Sequence, residues 1–348
     1  MSAFDNSKAA TLGLFAKRIE GDDCLLELAR QRFQGEAMGA EMHADTPEQL
    51  DRVMKFRPGN DAPVVVHLPR DLNLSDERSR ARILDCAARF SGRISGLVLH
   101  DHAGMAAKIE EYISAAWRLE GQLEKIAQCP MVFVEYAAGL EPADFVRFFT
   151  RILDLDRISA CVDIGHVGIR EARAVYARSH RGEDICALKS QPKWLPAVMT
   201  DVQAAVASGA VVTLDLVERL AQLKKPLHFH LHDGHPLSTF SPFGVSDHLS
   251  FFTEIPLNFE FEGRRAVPPM FGPSGLSKLV GRTVELLGPG RCSFTLEIHP
   301  TGERLELDSA GSLFNHWTDK TNAEKMNHWL AVLCRNHQCL RQAIDPKT

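Results

Sequence analysis

Between residues 227 and 235 the chain reads Leu-His-Phe-His-Leu-His-Asp-Gly-His, so four imidazoles and a carboxylate fall within nine residues. His228, His230 and His232 stand two residues apart. Alternate residues of a β-strand share a side, so the three imidazoles line one face while Leu227, Phe229 and Leu231 line the other. Such a face suits a metal ion, but an antiparallel edge strand wetted on one side gives the same alternation with no chemistry at all. The reading turns on whether other strands end in matching groups.

Several do. Val64-Val65-Val66 runs into His67, Leu97-Val98-Leu99 into His100, and Val132-Phe133-Val134 into Glu135. Cys161-Val162 runs into Asp163 with His166 three residues on, and Phe294-Thr295-Leu296 into Glu297. A lone histidine at a strand end is more often a hydrogen-bonded structural residue than a ligand, and repetition changes that balance. Glu135, Asp163, Glu297 and a histidine of the seventh strand would bring three carboxylates and an imidazole to one point. Carboxylates so placed repel unless a cation neutralises them, so the pattern calls for a divalent metal. Oxygen-rich ligation with one or two imidazoles suits Mn²⁺, Co²⁺, Mg²⁺ or Zn²⁺ alike.

The elements that must position these groups follow from periodicity. Short β-rich runs at 12–15, 40–43, 63–68, 94–100, 131–136, 158–163, 227–232 and 293–298 alternate with helical patterns at 24–33, 47–55, 76–90, 106–127 and 141–155. Asp45-Thr46-Pro47 and Ser75-Asp76-Glu77 have the residues of helix N-termini. Eight strands in one parallel sheet predict a single-domain (β/α)8 TIM barrel over residues 1–348, an α/β fold whose active site lies at the carboxyl ends of the strands. Two connections are longer than a barrel needs. Residues 167–226 predict helices near 169–177, 194–206 and 214–223, while 234–273 carry Phe240, Phe243, Phe251, Phe252, Phe259 and Phe261 without a period. Both are expected at the barrel mouth, where they would shape a substrate pocket. Residues 315–348 read as a closing helix and tail.

The 348 residues carry 45 acidic against 40 basic side chains, a formal charge of -5 spread along the chain. No basic block recruits a phosphate backbone, so a small-molecule substrate is expected rather than nucleic acid, and a homo-oligomer is left open. The start lacks a positive stretch followed by an apolar core, and no apolar run reaches the length of a membrane span, so a cytoplasmic protein with no membrane partner is expected. The eight cysteines are dispersed, which reads as reduced core residues, and Cys334-Arg-Asn-His-Gln-Cys339 on a terminal helix reads as no metal knuckle.

In order along the chain, Glu135-Tyr-Ala-Ala-Gly139, Asp163-Ile-Gly-His166, His230-Leu-His-Asp233 and Leu296-Glu297 resemble the xylose isomerase-like TIM barrels. That superfamily includes sugar isomerases and epimerases, inosose dehydratases and endonuclease IV. His67-Leu-Pro-Arg-Asp-Leu-Asn-Leu resembles its third-strand motif and His100 its fourth, so the likeness spans most of the chain. The resemblance implies that Glu135, Asp163, His230 and Glu297 hold a catalytic metal. It also implies that Glu135 and Glu297 serve as acid and base between adjacent carbons of a sugar or polyol, with His166 on a substrate hydroxyl. The endonuclease-like members use a multi-zinc cluster, to which His67, His100 and His166 would correspond, with an Asp-x-His element that here is the adjacent pair Asp247-His248. Tyr136 stands where the family commonly has asparagine, and Phe271-Gly-Pro-Ser-Gly275 replaces its usual Gly-x-Gly stretch.

Among the other groups, His228 reads as a deep structural residue. His232 rivals His230 as ligand or supports it, and Asp233 is a further candidate. His43, His102, His235 and His299 read as strand-end or loop residues, and Arg264-Arg265 as a solvated pair more often than an anion grip. Three functions are consistent with the pattern. A metal-dependent sugar or polyol isomerase or epimerase stands first, a multi-zinc phosphodiester hydrolase second, and a ligand-binding barrel without turnover third; the last would be expected to lose strand-end carboxylates that this chain keeps.

Overall fold

The computed structural model describes residues 8–15, 22–59, 61–137, 139–190, 195–233, 252, 260–261, 264–265, 269–297 and 322–346. Eight strands close a parallel barrel: β1 (Ala10–Phe15), β2 (Gly39–His43), β3 (Val64–His67), β4 (Gly96–His100), β5 (Met131–Glu135), β6 (Ile158–Asp163), β7 (Leu227–Leu231) and β10 (Cys292–Leu296). They pair in chain order, with β10 closing the ring between β7 and β1. The predicted (β/α)8 fold is therefore the observed one. A two-stranded antiparallel hairpin, β8 (Glu260–Phe261) with β9 (Arg264–Arg265), lies in the long connection after β7.

The helices between β1 and β6 are α1 (Asp23–Gly35), α2 (Pro47–Val53), α3 (Glu77–Arg89), α4 (Ile109–Leu123) and α5 (Pro142–Arg151). Their starts are written in local chemistry. The Asp22, Thr46 and Asp76 side chains accept the backbone N–H groups of Leu25, Gln49 and Ser79, satisfying donors that the first turn leaves orphaned. Pro47 opens α2, where its missing N–H costs nothing. Then follow α6 (Ile164–Ser179), α7 (Leu195–Ala221), α8 (Gly272–Leu287) and α9 (Asn322–Ile344).

The two helices expected at 194–206 and 214–223 are one. Ser208-Gly209-Ala210 looks like a break, yet α7 runs through it, and the glycine marks a close approach instead: a Cβ at 209 would stand 2.6 Å from the Gly168 carbonyl oxygen and 2.5 Å from Met270 Sδ. Residues Ala197–Ala221 of α7 are also long and apolar enough to cross a membrane by length and composition, which amends the expectation that no such run exists. Val202, Ala205 and Val206 on this helix are packed in a buried cluster with Ile169, Tyr176 and Ile185.

The chain divides into two compact units. The first comprises residues 1–163, 216–230 and 281–296 and contains the barrel; the second comprises 164–215, 231–280 and 297–348. Inside the barrel, Leu12, Val65, Val98, Met131, Phe133 and Cys161 form an apolar cluster. Side chains alternate along each strand, so two residues beyond Val65, Val98, Phe133 and Cys161 the same inward face carries His67, His100, Glu135 and Asp163. All eight cysteines are free thiols; Cys86, Cys129, Cys161, Cys186 and Cys292 are buried as core residues, whereas Cys24 is exposed and Cys334 and Cys339 are half-buried.

Candidate metal centre

Parallel register places the polar groups at one level. His43 pairs with His67, His100 with Glu135, and Asp163 with His230. Glu135 lies at their meeting point. Its Oε2 stands 2.9 Å from His67 Nε2 and 3.3 Å from His100 Nε2, and its Oε1 stands 3.3 Å from His230 Nδ1. The imidazoles of His43 and His67 stack at 4.5 Å, and His67 lies 4.8 Å from His100, centroid to centroid. All but His43 are buried.

Protonation follows from the partners. His67 Nδ1 lies 3.1 Å from the Leu68 carbonyl oxygen, which can only accept, so Nδ1 carries the proton and Nε2 presents a lone pair to Glu135. An acceptor facing a carboxylate at 2.9 Å repels unless a cation lies between them. A proton there gives an ion pair, and a metal ion there gives two ligands. In the ion-pair case burial raises the Glu135 carboxyl, but the charges of protonated His100 and His230 and the bonds that His230 and His67 then donate hold it well below the usual carboxylate range. Glu41 is likewise buried and is held low by His230 and His228.

The donor set fits a divalent ion. Ligand atoms of His67, His100 and Glu135 lie within 4.8 Å of one another, and so do those of Glu135, Asp163 and His230. Tetrahedral ligands about 2.1 Å from a zinc-like ion stand about 3.4 Å apart. The measured contacts around Glu135, 2.9 to 3.3 Å, come close to that spacing. The anchoring of His67 through Nδ1 to a backbone carbonyl is the support that ligating histidines commonly have. Two further buried triads, Glu41 with His67 and His230, and Cys161 with His228 and His230, lie within the same limits. Burial pushes the Cys161 thiol far up, which disfavours its thiolate.

Of the residues singled out from sequence, the first unit thus brings together His67, His100, Glu135, Asp163 and His230. His166, His232, Asp233 and Glu297 belong to the second unit. There His232 Nδ1 lies 3.3 Å from the Asp233 carbonyl oxygen and its Nε2 3.9 Å from Glu297 Oε2, while the His166 ring stands 6.2 Å from that of His232. The Asp233 carboxylate accepts the backbone N–H groups of Phe271 and Gly272 at the start of α8. His102 bonds the Leu72 carbonyl oxygen, and Tyr136 is fully buried edge-on to Phe145. Asp247, His248, His235 and His299 lie outside the described residues.

Glu41 is the residue that sequence reading missed. It sits mid-strand in Gly-Ala-Glu-Met-His, and the available signal was a charge on the same strand face as His43.

No known family model matches the chain, and no curated protein matches it in sequence. Solved structures include an endo-beta-1,4-mannanase from Thermotoga petrophila, matched over 100% of this chain and 79% of that one at 8% identity and a TM-score of 0.49. Another is the carboxyl transferase domain of Rhizobium etli pyruvate carboxylase with pyruvate and biocytin, matched over 98% of this chain and 49% of that one at 10% identity and a TM-score of 0.35. Likenesses this distant carry nothing about chemistry; the fold rests on the strand order itself.

Proposed function

We propose that this chain is a divalent-metal-dependent enzyme whose barrel centre takes two ions sharing Glu135, and that it hydrolyses phosphate esters of a small, hydroxylated substrate. The observation that carries the reading is that one carboxylate serves two triads, one with His67 and His100 and one with Asp163 and His230. Paired ions, when bound, polarise a phosphoryl oxygen and make water acidic enough to attack at neutral pH. Glu135 would span the pair, and His67, fixed by Leu68, would hold its Nε2 lone pair toward it without rearrangement. The formal charge of -5, with no basic block, favours a small ester over a nucleic acid.

A second reading, the isomerase or epimerase of a sugar or polyol, is supported by the Glu135, Asp163 and His230 triad, which suffices for one ion by itself. Glu135 would then move a proton between adjacent carbons.

The two are separated by offering the metal-reconstituted protein bis-p-nitrophenyl phosphate, p-nitrophenyl phosphate and a set of ketoses and their phosphates. Release of nitrophenol or phosphate with the ketoses unchanged is the expected result. Ketose interconversion without ester cleavage would overturn the hydrolase in favour of the isomerase.

A further inference from the structure

Behind His230 lies a line of buried polar groups, Ser293, His228 and Glu41, that neither reading uses. Ser293 Oγ is 2.7 Å from His228 Nδ1, His228 Nε2 is 3.1 Å from Glu41 Oε2, and Glu41 Oε1 is 3.0 Å from His230 Nε2. We infer that Glu41 is a positioning residue: through this line it fixes the ring and tautomer of His230 so that Nδ1 is turned toward Glu135. The inference rests on His230 being a metal ligand.

A carboxylate only accepts, so each imidazole nitrogen that faces Glu41 carries its proton. Glu41 then faces the proton-bearing Nε2 of His230 at 3.0 Å, and a metal ion between Nδ1 and Glu135 Oε1, 3.3 Å apart, would take the lone pair on the other side, as between His67 and Glu135. His228 bears its proton on Nε2 too, which leaves its Nδ1 to accept the Ser293 hydroxyl. Thr295 Oγ1 lies 3.3 Å from the same His228 Nε2. Phe133 lies 5.3 Å from the His228 ring, and the His228 and His230 rings meet edge to face at 85°, so packing fixes the ring planes as well.

Serine, histidine and glutamate in this order resemble a hydrolytic triad. All three are completely buried in the barrel, however, so no substrate reaches the hydroxyl and the line cannot act as a nucleophile. A fully buried carboxylate is costly to keep unless its partners need it. Here the partner is His230, and a carboxylate behind a ligating imidazole fixes its tautomer and raises its basicity.

Cobalt(II) alone, titrated into the full chain and followed by its visible absorption, tests this. Glu41→Gln is expected to fold, to keep the wild-type ion count, to bind cobalt about 10–100-fold more weakly and to shift the visible band. Ser293→Ala, at the far end of the line, is expected to move affinity the same way by less, and it decides the matter should Glu41→Gln not fold. Wild-type affinity and spectrum in the variants would overturn the inference. So would the loss of a whole ion in Glu41→Gln, which would make Glu41 itself a ligand. A wild type that takes up no cobalt, or His230→Ala binding as wild type does, would instead overturn the metal reading beneath it.

Discussion

Glu135 belongs to both ligand triads, so its loss should differ in kind from the loss of an imidazole. Glu135→Ala is expected to abolish tight binding of both ions, whereas His100→Ala leaves Glu135, Asp163 and His230 intact and should retain one. Metal analysis of the two dialysed variants checks this, and equal losses would contradict a shared carboxylate. Most of these residues were legible because a run of apolar strand residues ending in one polar group is a pattern that composition alone does not explain. His67, His100, Glu135 and Asp163 all have that form. Glu41 does not, since its strand runs on through Met42 to His43, and only the closed barrel brings it to His228 and His230 across 187 and 189 positions of sequence.

At the scale of elements, the loop after β5 is held by its neighbour strand. Asp101, next to His100, accepts the backbone N–H groups of Ala137, Gly139 and Leu140 at 2.9, 3.0 and 2.9 Å. Burial pushes its carboxyl up to about 6 against those three donors. Asp101→Ala would leave three donors without their acceptor, so a loss of about 2–3 kcal/mol in urea unfolding is expected, with the metal affinity of the triads falling as the chain beyond Glu135 loosens. Asp76→Ala, by contrast, removes only the cap of α3 and should cost about 1 kcal/mol with metal binding unchanged. Strands and capped helices were readable because period and cap are local signals. The continuity of α7 was not, because the close approach that requires a glycine at 209 is to the backbone of Gly168, 41 positions away in sequence, so the residue reads locally as a break.

For the molecule as a whole, acid should destabilise the fold. His337 of α9 is buried, and burial, with Arg341 beside it, depresses its pKa from 6.5 to about 4. The unfolded chain then takes up a proton near pH 6.5 that the folded chain refuses until about pH 4, so stability is lost as pH falls through that window, by up to about 3 kcal/mol. Urea midpoints measured from pH 7 to 4 should show this slope in the wild type and a shallower one in His337→Asn; identical slopes would contradict it. Glu41 and Glu135, both held below the usual carboxylate range, add a further loss at still lower pH.

The claim on which the account stands is that the histidines and carboxylates around Glu135 form a metal centre rather than a buried ion-pair network. Elemental analysis of the purified protein, before and after reconstitution with zinc, cobalt or manganese and exhaustive dialysis, tests it directly. The account predicts two tightly held divalent ions per chain. Retention of none after reconstitution would contradict the metal centre, and a single ion would contradict the sharing of Glu135.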